Sequence, residues 1–241
     1  FFKQPLVTVY HTFDYDRDPK GSAYWRNRIL KIAKEEKDKN PKMNFAISNR
    51  DTFSYELSNY GIEPPFADKP FVTILSEKYE KFGMNQDFRS FLKAYHEESL
   101  IPYMKSEPIP TENPEAVKKV VAKTFDDIVN DPTKDVLIEF YADWCGHCKN
   151  LKPIYEDLAN KMQNEPGIVI AAMEATKNDV PKPYEVLGFP TIYFSKRGSK
   201  HTPIKYEKGR ELKDFISYLA SEATEELSNY DRQGKPKKSE L

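Results

Sequence analysis

The chain has 241 residues, the length of one large or two medium domains. Its 37 basic residues are offset by 38 acidic ones, which argues against a nucleic-acid partner held through net charge. No apolar run reaches the roughly 20 residues of a membrane-spanning helix, so no membrane partner is expected either.

The elements alternate from the start. Residues 6–10 (LVTVY) predict a strand and 24–34 a helix after it. Residues 45–47 predict a strand, 52–59 a helix, 71–75 (FVTIL) a strand and 87–95 a closing helix. This half holds no cysteine. Residues 103–114 follow, with Pro108, Pro110 and Pro114 among polar neighbours, the composition of a stiff linker. From 117 the order β-α-β-α-β-α-β-β-α is expected, with strands at 119–122, 136–141, 168–174, 191–194 and 204–206. One helix is placed at 149–161, with Leu151, Ile154, Tyr155, Leu158 and Met162 near helical spacing, and the last at 211–223. The class is α/β, with a first domain at 1–104, a linker at 105–116, a second domain at 117–226 and a flexible tail at 227–241.

The strongest chemical signal is Trp144-Cys145-Gly146-His147-Cys148, which contains both cysteines of the chain. Two residues between thiols let one helical turn close and reopen a small disulfide ring. Structural zinc usually takes four ligands, and there is no second pair and only four scattered His, so no metal is expected. Cys145 follows the apolar run 136–141 and precedes a helix, so it falls at a strand-to-helix turn. Unpaired N–H groups and the positive end of the helix dipole favour a thiolate there, and His147 can add positive charge. Cys148, one turn further in, is expected to be less exposed and to act as the resolving thiol. Glu139 is a charge in the middle of an apolar strand, which is costly unless paired or functional.

Residues 135–152 (DVLIEFYADWCGHCKNLK) and 187–194 (LGFPTIYF) resemble the protein disulfide isomerase family, within the thioredoxin superfamily. The resemblance implies two tandem thioredoxin-like domains, each a central mixed β-sheet flanked by helices, the first without catalysis. It implies that Cys145 attacks and Cys148 resolves within the Cys145-Gly146-His147-Cys148 motif, with no metal or organic cofactor and with glutathione as redox couple. It makes Pro190 a cis proline against the disulfide. Glu139 would lie beneath the site and help move the proton of Cys148, and Arg210 would swing toward Cys148 to favour its thiolate. Two positions depart from the family pattern: Ala172 stands where a lysine usually pairs with the glutamate, and Asp143 where proline usually precedes Trp144. The first predicts a Glu139 more often protonated; the second predicts a Cys145 thiolate opposed by a nearby carboxylate.

Residues 20–28 (KGSAYWRNR), 52–58 (TFSYELS), 105–110 (KSEPIP), 178–186 (NDVPKPYEV) and 209–219 (GRELKDFISYL) are similar to glycoprotein-directed members of that family. This implies the C-terminal half of a four-domain protein of the endoplasmic reticulum lumen, acting on unfolded proteins and glycoproteins through mixed disulfides. Its first domain would dock an acidic arm of calnexin or calreticulin through Lys20 and Arg28, with Arg26 and Trp25 beside them. From the residues alone, such charges usually form only a solvated face. The chain begins at Phe1 without a signal peptide, so a mature or excised fragment is expected. It ends Lys238-Ser239-Glu240-Leu241, similar to a KDEL-type retrieval signal. A fragment acting mainly as an adaptor is the alternative; a cytosolic reductase is disfavoured by His147, the terminal tetrapeptide and the two-domain layout.

Overall fold

The computed structural model describes residues 4–66, 69–78, 80–84 and 87–237. The terminal tetrapeptide 238–241 lies outside the described residues. Two compact units divide the chain at 105/106.

The first unit runs β1 (Leu6–His11), α1 (Pro19–Lys39), β2 (Asn44–Asn49), α2 (Arg50–Leu57), β3 (Phe71–Leu75), β4 (Lys81–Gly83) and α3 (Phe88–His96). The sheet order is β2-β1-β3-β4, with β1 parallel to β2 and antiparallel to β3. Val7, Val9, Val72 and Ile74 from the central strands pack with Ile29, Phe91 and Leu92 from the helices. The helix expected at 24–34 extends five residues further at each end. Asp18 accepts from the Gly21 N–H as its cap, and Pro19 occupies the first helical position, where its missing N–H costs nothing. β4 was not predicted; three residues ending in glycine carry no readable period.

The second unit runs β5 (Lys118–Val120), α4 (Phe125–Ile128), β6 (Asp135–Tyr141), α5 (Gly146–Met162), β7 (Ile168–Glu174), β8 (Thr191–Ser195), β9 (Ile204–Lys205) and α6 (Leu212–Glu222). The sheet order is β5-β7-β6-β8-β9; β5, β6 and β7 are parallel, and β8 and β9 run antiparallel to their neighbours. β6 is buried on both faces, which is why it reads as a continuous apolar run. Its side chains alternate between two cores. Leu137 packs with Leu151, Tyr155 and Leu158 of α5 and Phe215 of α6, whereas Val136, Ile138 and Phe140 pack with Phe125 and Tyr184. Glu139 therefore points to the α5 side. The start of β6 is fixed by Asp135, whose buried carboxylate accepts from the Arg197 N–H at 2.6 Å and the Thr224 N–H at 2.6 Å.

Three expectations are corrected. No helix forms between β7 and β8. Pro181 and Pro183 both lack an N–H donor and restrict the residues before them, and 175–190 is a chain of turns. Residues 106–116 of the expected linker have no regular structure but belong to the second unit. The Glu107 N–H donates to Asn178 Oδ1 at 2.9 Å, and the Asn113 side chain bonds the Lys119 backbone. The tail expected after 226 is packed through residue 237. Leu227 joins the α5/α6 core, and the Ser228 and Asn229 N–H groups donate to the buried Glu165 carboxylate at 2.6 and 2.9 Å. Gly234, at φ +76°, approaches Ser217 so closely that a Cβ there would meet its Cα at 2.7 Å.

Candidate active site

A four-residue turn joins β6 to α5. The Cys145 N–H donates to the Ala142 carbonyl at 3.0 Å, leaving Asp143 and Trp144 as the central residues. Cys145 is the N-cap of α5, and its sulfur accepts from the Cys148 N–H at 3.1 Å. The two cysteines are joined as a disulfide, with their Cα atoms 5.3 Å apart. Gly146 and His147 complete the ring and are exposed. A Cβ at Gly146 would meet nothing, so packing does not demand glycine there; it leaves the approach to the sulfurs uncovered.

In this oxidised form the two cysteines are almost equally buried, Cys145 6% and Cys148 5% exposed. Tyr141 and Phe189 pack against the pair. Phe189 meets the exposed Trp144 edge-on, ring centroids 5.7 Å apart. Pro190 follows as a buried cis proline directly before β8.

Glu139 is 5% exposed, and its Oε1 has no hydrogen-bond partner. The sheet register explains why. Lys119, Ala172, Glu139 and Ile192 form one row across four strands, so alanine and isoleucine flank the carboxyl. The lysine at the end of the row turns instead to Glu107, 3.0 Å away. The Tyr155 hydroxyl is spent on the Leu137 and Ala171 carbonyls. Burial pushes the Glu139 carboxyl up to about 7, opposed only by the charge of the exposed Arg210. Burial without a neighbouring lysine is the arrangement expected from Ala172. Glu139, Cys148, Ala142, Tyr155 and Ala172 line a cavity of about 580 Å³.

Asp143, expected to oppose the Cys145 thiolate, is held in an ion pair. Its Oδ2 lies 2.5 Å from Lys177 Nζ, with both side chains about half exposed. Lys177 and the buried Asn178 were missed by sequence reasoning, because nothing local marks a residue 34 positions away as a partner.

In the first unit Lys20, Trp25, Arg26 and Arg28 all lie on α1. Lys20 is inside the helix, not in the turn before it, because Asp18 and Pro19 start the helix earlier. Helical geometry sets Lys20 and Arg28 about 80° apart around the axis and about 12 Å along it, while Arg26 lies about 160° from Arg28. Lys20 and Arg28 thus share a side and Arg26 does not. Trp25 is half-buried, edge-on to Tyr24 and His11. The Arg28 guanidinium donates to the Tyr24 hydroxyl at 3.4 Å, and Arg28 and Trp25 border a cavity of about 350 Å³ floored by Ile29, Val72 and Phe88.

A redox-closable dithiol at the cap of the helix that follows a central strand, in a sheet of order β5-β7-β6-β8-β9, defines a thioredoxin-type domain. Residues 116–221 match the thioredoxin family model. The chain is 53% identical over 246 residues to the probable protein disulfide-isomerase ER-60 of Schistosoma mansoni, covering 100% of this chain and 50% of that one. It is 50% identical over 242 residues to protein disulfide-isomerase A3 of Gallus gallus, covering 97% and 48%. Among solved structures, the first thioredoxin domain of mouse protein disulfide-isomerase A4 is 32% identical, with 46% of this chain and 77% of that one covered and a TM-score of 0.39. The chain belongs to the protein disulfide isomerase family, and both of its units are thioredoxin-like. It spans about half the length of the curated relatives it matches. Among the described residues no helix is long and apolar enough to cross a membrane.

Proposed function

We propose that this chain is a thiol–disulfide oxidoreductase and protein disulfide isomerase of the endoplasmic reticulum lumen, acting on unfolded proteins and glycoproteins. The observation that carries this reading is the Cys145–Cys148 disulfide closed across the first turn of α5. In the reduced form the helix start and the neighbouring His147 favour the Cys145 thiolate. That thiolate attacks a substrate disulfide, forms a mixed disulfide and releases one substrate thiolate. Cys148, once deprotonated, attacks the Cys145 sulfur, closes the ring and releases the second substrate thiolate. Two electrons pass from the dithiol to the substrate; the reverse sequence forms a substrate disulfide, with glutathione as the small-molecule couple. Isomerisation uses the first step alone: another substrate thiolate attacks the mixed disulfide and displaces Cys145.

Glu139 receives the Cys148 proton during resolution, a role suited to a carboxyl whose pKa is about 7. Arg210 favours the ionised forms of both. Pro190, with Phe189 and Trp144, frames the substrate segment entering the mixed disulfide. No metal or organic cofactor takes part. The first unit, which contains no cysteine, docks the acidic arm of calnexin or calreticulin through Lys20 and Arg28 on one side of α1, with Trp25 at the edge.

The test is reactivation of scrambled ribonuclease by the full chain in a glutathione buffer, beside calorimetric titration with the isolated arm. Reactivation that depends on Cys145 is the expected result. No reactivation with intact arm binding would replace this reading by an adaptor role.

A further inference from the structure

The turn before the dithiol carries an anion where an anion works against the chemistry. Asp143 lies two residues ahead of Cys145, the cap of α5. A carboxylate there is drawn to the same unpaired N–H groups and positive dipole end that favour a thiolate at Cys145. Unrestrained, it would compete for those donors and repel the thiolate.

The carboxylate is instead held by Lys177, 2.5 Å away. The anchor of that lysine is fixed. Its neighbour Asn178 is 3% exposed, accepts from the Glu107 and Ala122 N–H groups at 2.9 and 3.0 Å, and donates to the Glu107 carboxylate and the Glu174 carbonyl, each at 2.9 Å. The segment after β7 is therefore pinned to the residues on either side of β5. The hydrogen bond to Asp143 holds the Lys177 ammonium above its usual range.

We propose that Lys177 is a positioning residue for disulfide exchange: it tethers the Asp143 carboxylate away from the start of α5, leaving the Cys145 thiolate as the anion that the helix end stabilises. This rests on the reading of Cys145 as the nucleophile. The other ionisable groups around the site include His147 and Lys149 on α5, Glu139 and Tyr141 on β6, Glu174 at the end of β7, Arg210 before α6, and Glu107 before β5 with its partner Lys119; all are kept in the variants compared.

The experiment follows iodoacetamide alkylation of Cys145 against pH in the reduced full chain, at low and high salt. Lys177→Gln should slow alkylation about two- to threefold below the thiol pKa at low salt, with the effect shrinking at high salt. Lys177→Arg should keep the wild-type rate. With Asp143→Asn present, adding Lys177→Gln should change the rate much less, because there is no carboxylate left to release. An unchanged or faster rate for Lys177→Gln, or the same slowing whether or not Asp143→Asn is present, would overturn the tether. Failure of the underlying reading is distinct: wild-type Cys145 would then alkylate no faster than an ordinary peptide cysteine at pH 7.

Discussion

The two units share one frame and differ in what is hung on it. The order β2-β1-β3-β4 repeats as β7-β6-β8-β9, with the same strand directions. The last residue of β1, His11, pairs with Asn49 as Tyr141 of β6 pairs with Glu174, so Glu139 occupies the place that Val9 holds in the first unit. Even the proline recurs: Pro70 precedes β3 as Pro190 precedes β8. Two differences on this common scaffold bear directly on the proposed chemistry. A seven-residue connection, 12–18, is replaced by a four-residue turn that caps its helix with a thiol, and a buried valine is replaced by a buried carboxyl. Fold and reactivity are separable here.

The comparison breaks most sharply at the cap. Cys145→Ser should reduce insulin-reduction turnover by about 10³-fold or more, because no other thiol sits at a helix start. Cys148→Ser should instead accumulate mixed disulfides with substrate, seen as gel-shifted species lost on adding reductant. Near-normal turnover of Cys145→Ser would remove Cys145 as the nucleophile.

Making Glu139 resemble Val9 is the next largest change. The Glu139 pKa is raised from 4.5 in the unfolded chain to about 7 in the fold. The folded state then binds the extra proton between those values, so stability falls as pH rises from about 4.5 to about 7. Above pH 7 the full cost is about 3 kcal/mol. Glu139→Val should remove that loss, seen as urea midpoints that no longer fall between pH 5 and 8. It should also slow resolution of the mixed disulfide. An unaltered pH dependence of the midpoint would show that Glu139 titrates normally.

The first unit is sharpened by Arg28→Ala. A charge-assisted contact of about 1.5–3 kcal/mol predicts roughly tenfold or greater loss in affinity for an acidic arm. Cleavage of a small disulfide peptide should be untouched. Equal arm affinities for wild type and variant would remove Arg28 from the surface. The smallest expected effect is that of Asp143→Pro, which deletes the carboxylate and leaves the Lys177 charge. Cys145 alkylation should rise about twofold at low salt, and a fall would contradict the electrostatic argument.

What could be read from the sequence was what local pattern encodes. β7 and β3 fall at the residues their apolar runs predict, and Cys145 lies at the cap because a strand ends and a helix begins around it. The flanking of Glu139 by Ala172 follows once two parallel strands are aligned. What escaped was non-local or too short to have a period. Leu227 reaches the core as a single residue, Glu165 collects the N–H groups of a distant segment, and Lys177 meets Asp143 across 34 positions. The helix expected between β7 and β8 failed because two prolines outweighed an alternation assumed from the rest of the domain.

Of two nearly equally buried cysteines, the proposed nucleophile is the one that caps a helix. Rates of iodoacetamide labelling at both residues of the reduced chain, read by mass spectrometry across pH 4–9, test it most directly. Cys145 should label with a midpoint below the ordinary thiol value of about 8.5, and Cys148 far more slowly. Equal rates at the two residues, or a Cys145 midpoint at or above that of an ordinary thiol, would contradict it.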